Sequence, residues 1–396
     1  MKELYEFSDK QIDRTEITFI RSFIKKIDLK HRLTGIVGAR GVGKTTLLLQ
    51  FLKINNLKED AIYITMDDLF FTENKLIDFV TEFVKYGGKY LFIDEIHFYK
   101  NWSQELKLIY DRFPDLKTVF TGSSILEIEK GQADLSRRAL VFKMQGLSFR
   151  EFVNFTEKTS INTYSLETII SQHRQIASEI RDRILPLKKF NEYLNYGYYP
   201  YFIEDIDNYI LKLKNVLVLT LEMDMPNVTG ISHSSIEKLK QLLFIIAHSV
   251  PFKPNISKLS DKLGVNRNTL KIFFNFLERA DVIIQLFSST RGNALLNKPE
   301  KIYLHHPNLF NAFAGLYADK GNIRESFFIN QLKYLYRVNY TNQGDFKVSD
   351  KYYFEIGGKN KTRRQIIGQD NAYVVKDNIE TGFRDEIPLW LFGFLY

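Results

Sequence analysis

The chain has 396 residues, 44% apolar and 26% charged, with a formal net charge of +8 and a pI near 9.1. That length exceeds one ordinary hydrophobic core, so two to four domains are expected. No apolar run approaches the roughly 20 residues of a membrane-spanning helix, and Met1-Lys2-Glu3-Leu4-Tyr5 does not read as a secretory signal, so a cytoplasmic globular protein is expected. The absence of cysteine removes disulfides, thiolate zinc sites, iron–sulfur clusters and cysteine nucleophiles together. The histidines are scattered, so no histidine metal cluster is expected. The positive charge is compatible with nucleic acid as a partner without requiring it.

From Arg32 to Phe142, strand-like apolar runs alternate with helical patterns: Thr34 to Val37, Ala61 to Thr65, Tyr90 to Ile93, Thr118 to Phe120 and Ala139 to Met144. Such alternation predicts an α/β fold, a parallel sheet with helices on its faces. Directly after Gly35-Ile36-Val37 comes Gly38-Ala39-Arg40-Gly41-Val42-Gly43-Lys44-Thr45, and the helical run Thr46 to Leu52 follows. The octet matches the P-loop (Walker A) pattern G-x-x-x-x-G-K-[ST]. Glycines let such a loop turn its N–H groups inward around phosphate oxygens, and the helix N-terminus adds the positive end of its dipole. The nucleotide-binding candidates are therefore Gly38, Ala39, Arg40, Gly41, Val42, Gly43, Lys44, Thr45 and Thr46. Lys44 is expected at the β and γ phosphates of ATP, and Thr45 is expected to give its hydroxyl to Mg²⁺.

After the turn signal Gly87-Gly88, the run Lys89 to Ile93 ends in Asp94-Glu95. A buried strand that terminates in acids suits this sheet type, because ligands bind at the carboxyl ends of its strands. Asp94 is the candidate for the Mg²⁺ shell and Glu95 for polarising the attacking water, in the order that phosphoryl-transfer sites use. The next strand runs into Thr121-Gly122-Ser123-Ser124. Ser123 or Ser124 could sense the nucleotide there, the alternative being a turn in which serine caps a helix. In Leu135-Ser136-Arg137-Arg138-Ala139, Arg137 first and Arg138 second are candidates for an arginine finger, against an ordinary solvated arginine pair.

Residues 1–150 thus read as a P-loop ATPase domain. Residues 151–234 are helical and rich in Tyr and Phe, interrupted by the turn-like Tyr196-Gly197-Tyr198-Tyr199-Pro200, and read as a lid or connector. Residues 235–292 hold a compact helical unit from about Ser235 to Leu286. Within it, Ile256 to Lys271 has the spacing of a helix, a tight turn at Gly264 and a second helix capped by Asn266, which is helix-turn-helix spacing. Arg267, Asn268 and Lys271 would lie exposed on the second helix. Were that helix to enter a DNA groove, Arg267 and Asn268 could read base edges and Lys258 and Lys262 could contact phosphate. The alternative is a unit that only packs beside the ATPase. Residues 293–396 read as a separate α/β module with strands Lys301 to Leu304, Tyr352 to Ile356 and Ala372 to Val375 and a helix Ile323 to Tyr336. Its last apolar stretch, Ile387 to Phe394, reads as core.

The order of these pieces resembles the AAA superfamily. The run Leu91 to Trp102, Thr121-Gly122-Ser123-Ser124 and Gly146-Leu147-Ser148-Phe149-Arg150-Glu151-Phe152 resemble a large group of prokaryotic predicted ATPases that carry a C-terminal domain of unknown function. The resemblance spans essentially the whole chain. It implies the roles given above for Lys44, Thr45, Asp94 and Glu95, and it makes the helix-turn-helix a winged helix. It also implies a restriction-endonuclease-like fold at the C-terminus with Glu325, Asp345 and Glu355 as the matching acids. Such a site usually carries a lysine two residues after the second strand's acid, and this chain has Gly357 there. Lys359 has the right parity, but Gly357-Gly358 opposes a continued regular strand. Cleavage is therefore not expected, and Lys359, Lys361, Arg363 and Arg364 read as a basic cluster for a phosphate backbone or as a solvated loop. The whole reads as a Mg²⁺-dependent ATPase that couples nucleotide state to domain rearrangement, with nucleic acid and a second copy of itself as candidate partners. The alternatives are a nucleotide-gated DNA- or protein-binding switch with little hydrolysis and an ATP-licensed, Mg²⁺-dependent nuclease.

Overall fold

The computed structural model describes residues 2–122, 135, 137–224, 232–249, 252–288, 298–315 and 318–396. Contacts between residues divide the chain once, into compact units of residues 1–146 and 147–396.

The first unit is built on five parallel strands in the order β2-β3-β4-β1-β5: β1 Leu33–Val37, β2 Ala61–Thr65, β3 Tyr90–Asp94, β4 Lys117–Gly122 and β5 Leu140–Lys143. The predicted strands are all present, within two residues at their ends. β1 is buried along its whole length and β3 along all but its first residue, as expected when helices cover both faces of a parallel sheet. The helices that cover them include Lys44–Ile54, Leu76–Lys85 and Trp102–Arg112. β2 lies at the edge of the sheet, and the N-terminal helix Lys2–Arg14 covers it. Ser8 of that helix is buried and accepts the Tyr63 N–H at 3.0 Å, which satisfies a donor that an edge strand leaves open. Pairing registers set Thr65 opposite Asp94, Ile93 opposite Phe120 and Val37 opposite Gly122. The carboxyl ends of β1, β3 and β4 therefore finish level, and Thr121 falls beside Asp94.

The second unit opens with the helix Phe149–Thr156, whose capping box pairs the Ser148 hydroxyl with the Glu151 N–H and the Glu151 carboxylate with the Ser148 N–H. The helices Leu166–Arg181, Pro186–Tyr196 and Tyr209–Leu219 follow. Their aromatic side chains are core: Phe149 and Phe190 are 5.3 Å apart, and Phe190 lies 4.7 Å from Phe327 of the helix Lys320–Lys333. The segment read as a lid or connector thus packs into the same unit as the C-terminal module. The expected core reading of Ile387 to Phe394 matches a buried 3₁₀ helix over Leu389–Phe394.

Helices His233–His248, Ile256–Leu263 and Arg267–Arg279 form the predicted helical unit. Gly264 ends the middle helix with φ +59°, and Asn266 caps the next by accepting the Thr269 N–H at 2.8 Å. Ile283–Leu286, expected within the helical unit, is strand β6. It pairs antiparallel with β7, Lys301–Leu304, which was expected in the last module. A boundary at residue 292 would separate two paired strands. Periodicity misled here because both runs are short and wholly buried, and a short buried apolar run does not reveal its partner. The remaining strands, β8 Val338–Tyr340, β9 Phe346–Val348, β10 Tyr352–Gly357, β11 Ala372–Lys376 and β12 Glu386–Pro388, make a mixed sheet in the order β12-β11-β10-β9-β8. β8, β9 and β12 are only three residues long, too short to show alternation in the sequence.

No side chain other than that of Lys238 would come within 4 Å of a Cβ added at Gly264, so Gly264→Ala tests backbone conformation alone. It is expected to lower stability by about 1–2 kcal/mol, read as a shifted midpoint in urea unfolding.

Candidate active site

The loop between β1 and the helix Lys44–Ile54 curls over the carboxyl end of the sheet. Gly41 and Gly43 hold φ values of +85° and +93°, a region that side chains with a Cβ rarely enter. Gly43 occupies the N-cap position without a capping side chain, so the first N–H groups of the helix remain donors for a ligand. Lys44 is buried, and its ammonium donates to the carbonyls of Gly38 and Ala39 at 3.0 and 3.1 Å. Two backbone carbonyls of the loop thus hold the ammonium inside it.

Asp94 is 2% exposed at the end of β3. Its Oδ2 accepts the hydroxyls of Thr45 at 2.6 Å and Tyr63 at 2.9 Å, and its Oδ1 accepts the hydroxyl of Thr121. Burial, and then the Glu95 charge, push its carboxyl above the ordinary range, while the three hydroxyls oppose that shift. Burial and Asp94 likewise push the Tyr63 hydroxyl up, so it stays a donor. Sequence reasoning missed Tyr63 and Thr121. Thr121 was legible in part, as the first residue of the Thr-Gly-Ser-Ser tip beside the acidic strand. Tyr63 reaches Asp94 from two positions earlier on the neighbouring strand, which only the register reveals.

Glu95, the next residue, has φ 48° and ψ 44°, a left-handed conformation that costs a non-glycine residue about 1–3 kcal/mol and concentrates at functional sites. Its N–H donates to Thr121 Oγ1 at 3.2 Å, and its Oε2 lies 3.3 Å from His97 Nδ1. The turn swings the Glu95 side chain away from the direction that strand alternation would give it.

Thr45 and Asp94 fit a small divalent cation, since one hydroxyl and one carboxylate oxygen already converge within 2.6 Å and Mg²⁺ takes its other ligands from water and phosphate. Among the described residues no group of three or more His, Asp or Glu side chains is arranged to hold a metal, and a site completed by phosphate oxygens needs none. Ser123 and Ser124 lie outside the described residues. Arg137 is exposed, whereas Arg138 grips Asp111 with two hydrogen bonds of 3.0 Å.

In the second unit Glu325 and Asp345 are brought together, but by a lysine. Lys301 Nζ lies 3.0 Å from Glu325 Oε2 and 3.3 Å from Asp345 Oδ1, and the Tyr303 hydroxyl donates to the same Glu325 oxygen at 2.6 Å. Burial pulls the Lys301 ammonium down, but the two carboxylates outweigh it and hold it above its ordinary value. Burial and then Asp345 push the Glu325 carboxyl up. Glu355 pairs instead with Lys361 at 2.9 Å. A Cβ at Gly357 would strike the Lys361 side chain at 2.5 Å, so the space that a residue at 357 would fill is taken by Lys361 reaching back to Glu355. Lys359, which parity favoured, is exposed. Arg267, Asn268, Lys271, Lys258 and Lys262 are all exposed, as the helix-turn-helix spacing predicts.

A five-stranded parallel sheet in this order, with a phosphate-binding loop after β1 and an acid at the end of β3, the two strands separated by β4, defines a P-loop nucleotide-binding fold. Residues 30–153 match the family model of an AAA domain, and residues 187–320 match that of a domain of unknown function (DUF8612). The first unit thus has a P-loop fold and carries most of the match to an AAA domain. The chain is 26% identical over 288 residues to an uncharacterized protein of Methanocaldococcus jannaschii, covering 69% of this chain and 60% of that one. It therefore spans less than two thirds of that relative. Among solved structures it is similar to a Walker-type ATPase of Pyrococcus abyssi at 12% identity and a TM-score of 0.40, over 79% of this chain and 95% of that one. It is also similar to AMPPCP-bound DnaA from Aquifex aeolicus at 12% identity and a TM-score of 0.25, over 70% and 88% of the two chains. Among the described residues no helix is long and apolar enough to cross a membrane.

Two outcomes follow from the charges. Because the Asp94 carboxyl titrates above its unfolded value, the folded chain holds the extra proton between the two values. The stability this contributes is complete below the unfolded value and is lost as pH rises through the folded one. Asp94→Asn should therefore raise the urea midpoint of the ligand-free protein at neutral pH, and the gain should vanish near the unfolded aspartate value of about 4. Lys301→Met leaves Glu325 and Asp345 buried without their counter-ion and should cost about 3–5 kcal/mol by the same measurement.

Proposed function

We propose that the first unit binds ATP with Mg²⁺ and hydrolyses it to ADP and phosphate. The observation that carries this reading is the 2.6 Å bond from Thr45 to Asp94 beside a lysine held within the phosphate loop. The loop amides and the first turn of the helix Lys44–Ile54 bind the phosphate chain, and Lys44 exchanges its carbonyl partners for phosphate oxygens. Thr45 and Asp94 hold Mg²⁺, which when bound offsets the negative charge of the transferring phosphoryl group. Glu95 orients the attacking water and draws on its proton. Thr121 fixes Glu95 through its N–H and Asp94 through its carboxylate. A serine at 123 or 124 would complete the contact to the γ-phosphate. Arg137, exposed where Arg138 is committed to Asp111, is the better finger, and a finger acts on a neighbouring copy. Hydrolysis drives rearrangement of the second unit, whose acids form structural ion pairs, Glu325 and Asp345 with Lys301 and Glu355 with Lys361, and not a cleaving centre.

A second reading adds double-stranded DNA as the partner. The exposed Arg267, Asn268 and Lys271 on one helix, capped at Asn266 and followed by the β6–β7 hairpin, favour it. In this reading the unit is a winged helix whose second helix enters the major groove.

Purified protein should release phosphate from ATP in Mg²⁺. Glu95→Gln should reduce turnover by about 100-fold or more while binding a fluorescent ATP analogue as wild type does; undiminished turnover would remove the role given to Glu95. For the DNA reading, Lys262→Ala should weaken binding to duplexes of unrelated sequence alike and reduce the salt slope by about 1. Equal binding by wild type and variant at every salt concentration would dismiss it.

A further inference from the structure

We infer that Arg21 is a positioning residue for the phosphate loop, tying it to the last residues of the first unit, so that nucleotide in the loop is felt at Gln145 and Gly146. The inference rests on the nucleotide-binding reading above and deepens it by naming how that site is held and what it acts on.

A loop that turns its N–H groups inward to a phosphate must point carbonyls outward. Where those carbonyls are buried they need donors, and loss of one leaves an unsatisfied polar group. Arg21, 7% exposed, supplies them. Its Nη1 donates to the carbonyls of Val42 at 3.0 Å and Gln145 at 2.8 Å, and its Nη2 donates to the carbonyl of Gly146 at 2.9 Å. One planar guanidinium thus joins the turn of the phosphate loop to the segment that follows β5. A second contact joins the same two pieces. A Cβ at Gly38 would lie 2.3 Å from the Met144 carbonyl oxygen, and the Met144 N–H donates to the Val37 carbonyl at 2.7 Å. The beginning and the crest of the loop therefore both rest on residues 144–146, immediately before the chain leaves the unit at Leu147.

Arg21 is itself held from the helix that the loop leads into. Buried Gln50 donates to the carbonyls of Glu16 and Phe19 at 2.9 Å, and Lys53 Nζ donates to those of Asp13 and Thr15 at 2.8 and 2.7 Å. Residues 13–19 are strapped to the helix Lys44–Ile54 through Gln50 and Lys53, about one turn apart, and two residues later Arg21 places its guanidinium on the Val42 carbonyl. Binding that tightens the loop must move or fix Val42, and through the shared Nη1 donor it fixes Gln145 as well. Lysine cannot replace this arrangement, because a single ammonium lacks the planar fork that spans three carbonyls.

The test uses the full chain. In wild type, ATP with Mg²⁺ should slow amide hydrogen exchange in residues 38–46 and also in residues 144–147. Arg21→Lys should weaken binding of a fluorescent ATP analogue about tenfold and raise KM more than it lowers kcat. At saturating nucleotide it should keep the protection of 38–46 and lose that of 144–147. A purely structural role would lower stability without separating the two segments. Wild-type affinity in Arg21→Lys, or equal protection of 144–147 in both proteins, would overturn the inference. So would a wild type whose residues 144–147 ignore bound nucleotide, a result that needs no variant to fold. If wild type binds no nucleotide at all, the ATP reading fails. The inference, which rests on that reading, then falls with it, whereas a wild type that binds nucleotide without protecting residues 144–147 sinks the inference alone.

Discussion

The carboxylate of Asp94 is the group around which the first unit is arranged. It sits at the end of a buried strand, where an isolated charge would be expelled or neutralised, and three hydroxyls from three different elements make its position tenable. Thr45 comes from the helix after the phosphate loop, Tyr63 from the edge strand and Thr121 from the strand between β3 and β1. Each of those elements is thereby referred to one oxygen pair. The hydroxyls do not cancel the cost of burial, since the carboxyl still titrates above its ordinary range. A carboxylate left in that condition is poised for a cation, in keeping with the stability that functional sites forgo.

The phosphate loop poses the complementary problem. Its amides are reserved for a ligand, so its carbonyls must be satisfied by the protein, and the donors are side chains with fixed charge: Lys44 for Gly38 and Ala39, Arg21 for Val42. Positive groups around a loop awaiting a polyanion lower the electrostatic cost of binding as well as completing the hydrogen bonds. Glu95 completes the picture from the acidic side. Its strained backbone is over-determined by the Thr121 hydroxyl and by the short 3₁₀ turn Ile96–Phe98 that follows it.

The second unit manages buried polarity in a different way. Asn308 receives the Tyr198 N–H and the Tyr209 hydroxyl and donates to the carbonyls of Tyr193 and Leu194. It thus uses both ends of its amide to join helices that the aromatic contacts bring together. Lys301 does the same with charge, joining the β6–β7 hairpin to Glu325 of a helix and Asp345 beside β9. These networks have few equivalent arrangements, which favours one packing of a core that is otherwise aromatic and adaptable.

By itself the sequence determined the parts whose physics is local. The five parallel strands, the glycines of the phosphate loop, the placement of Lys44, Thr45, Asp94 and Glu95 at the ends of strands and loop, and the capped helix after Gly264 were all legible, because periodicity, φ preference and capping act within a few residues. What only the tertiary structure decided are the contacts that depend on register and on long separation. Tyr63 meets Asp94 because β2 pairs with β3 in one register, and Arg21 meets Gln145 across 124 positions. Lys301 faces Glu325 because β7 returns to β6 and does not enter the C-terminal sheet. Lys361 reaches Glu355 because a glycine at 357 leaves room for its stem. A side chain's type announces what it can bond, but in these cases the partner is chosen by how sheets and helices stack, which no local pattern encodes.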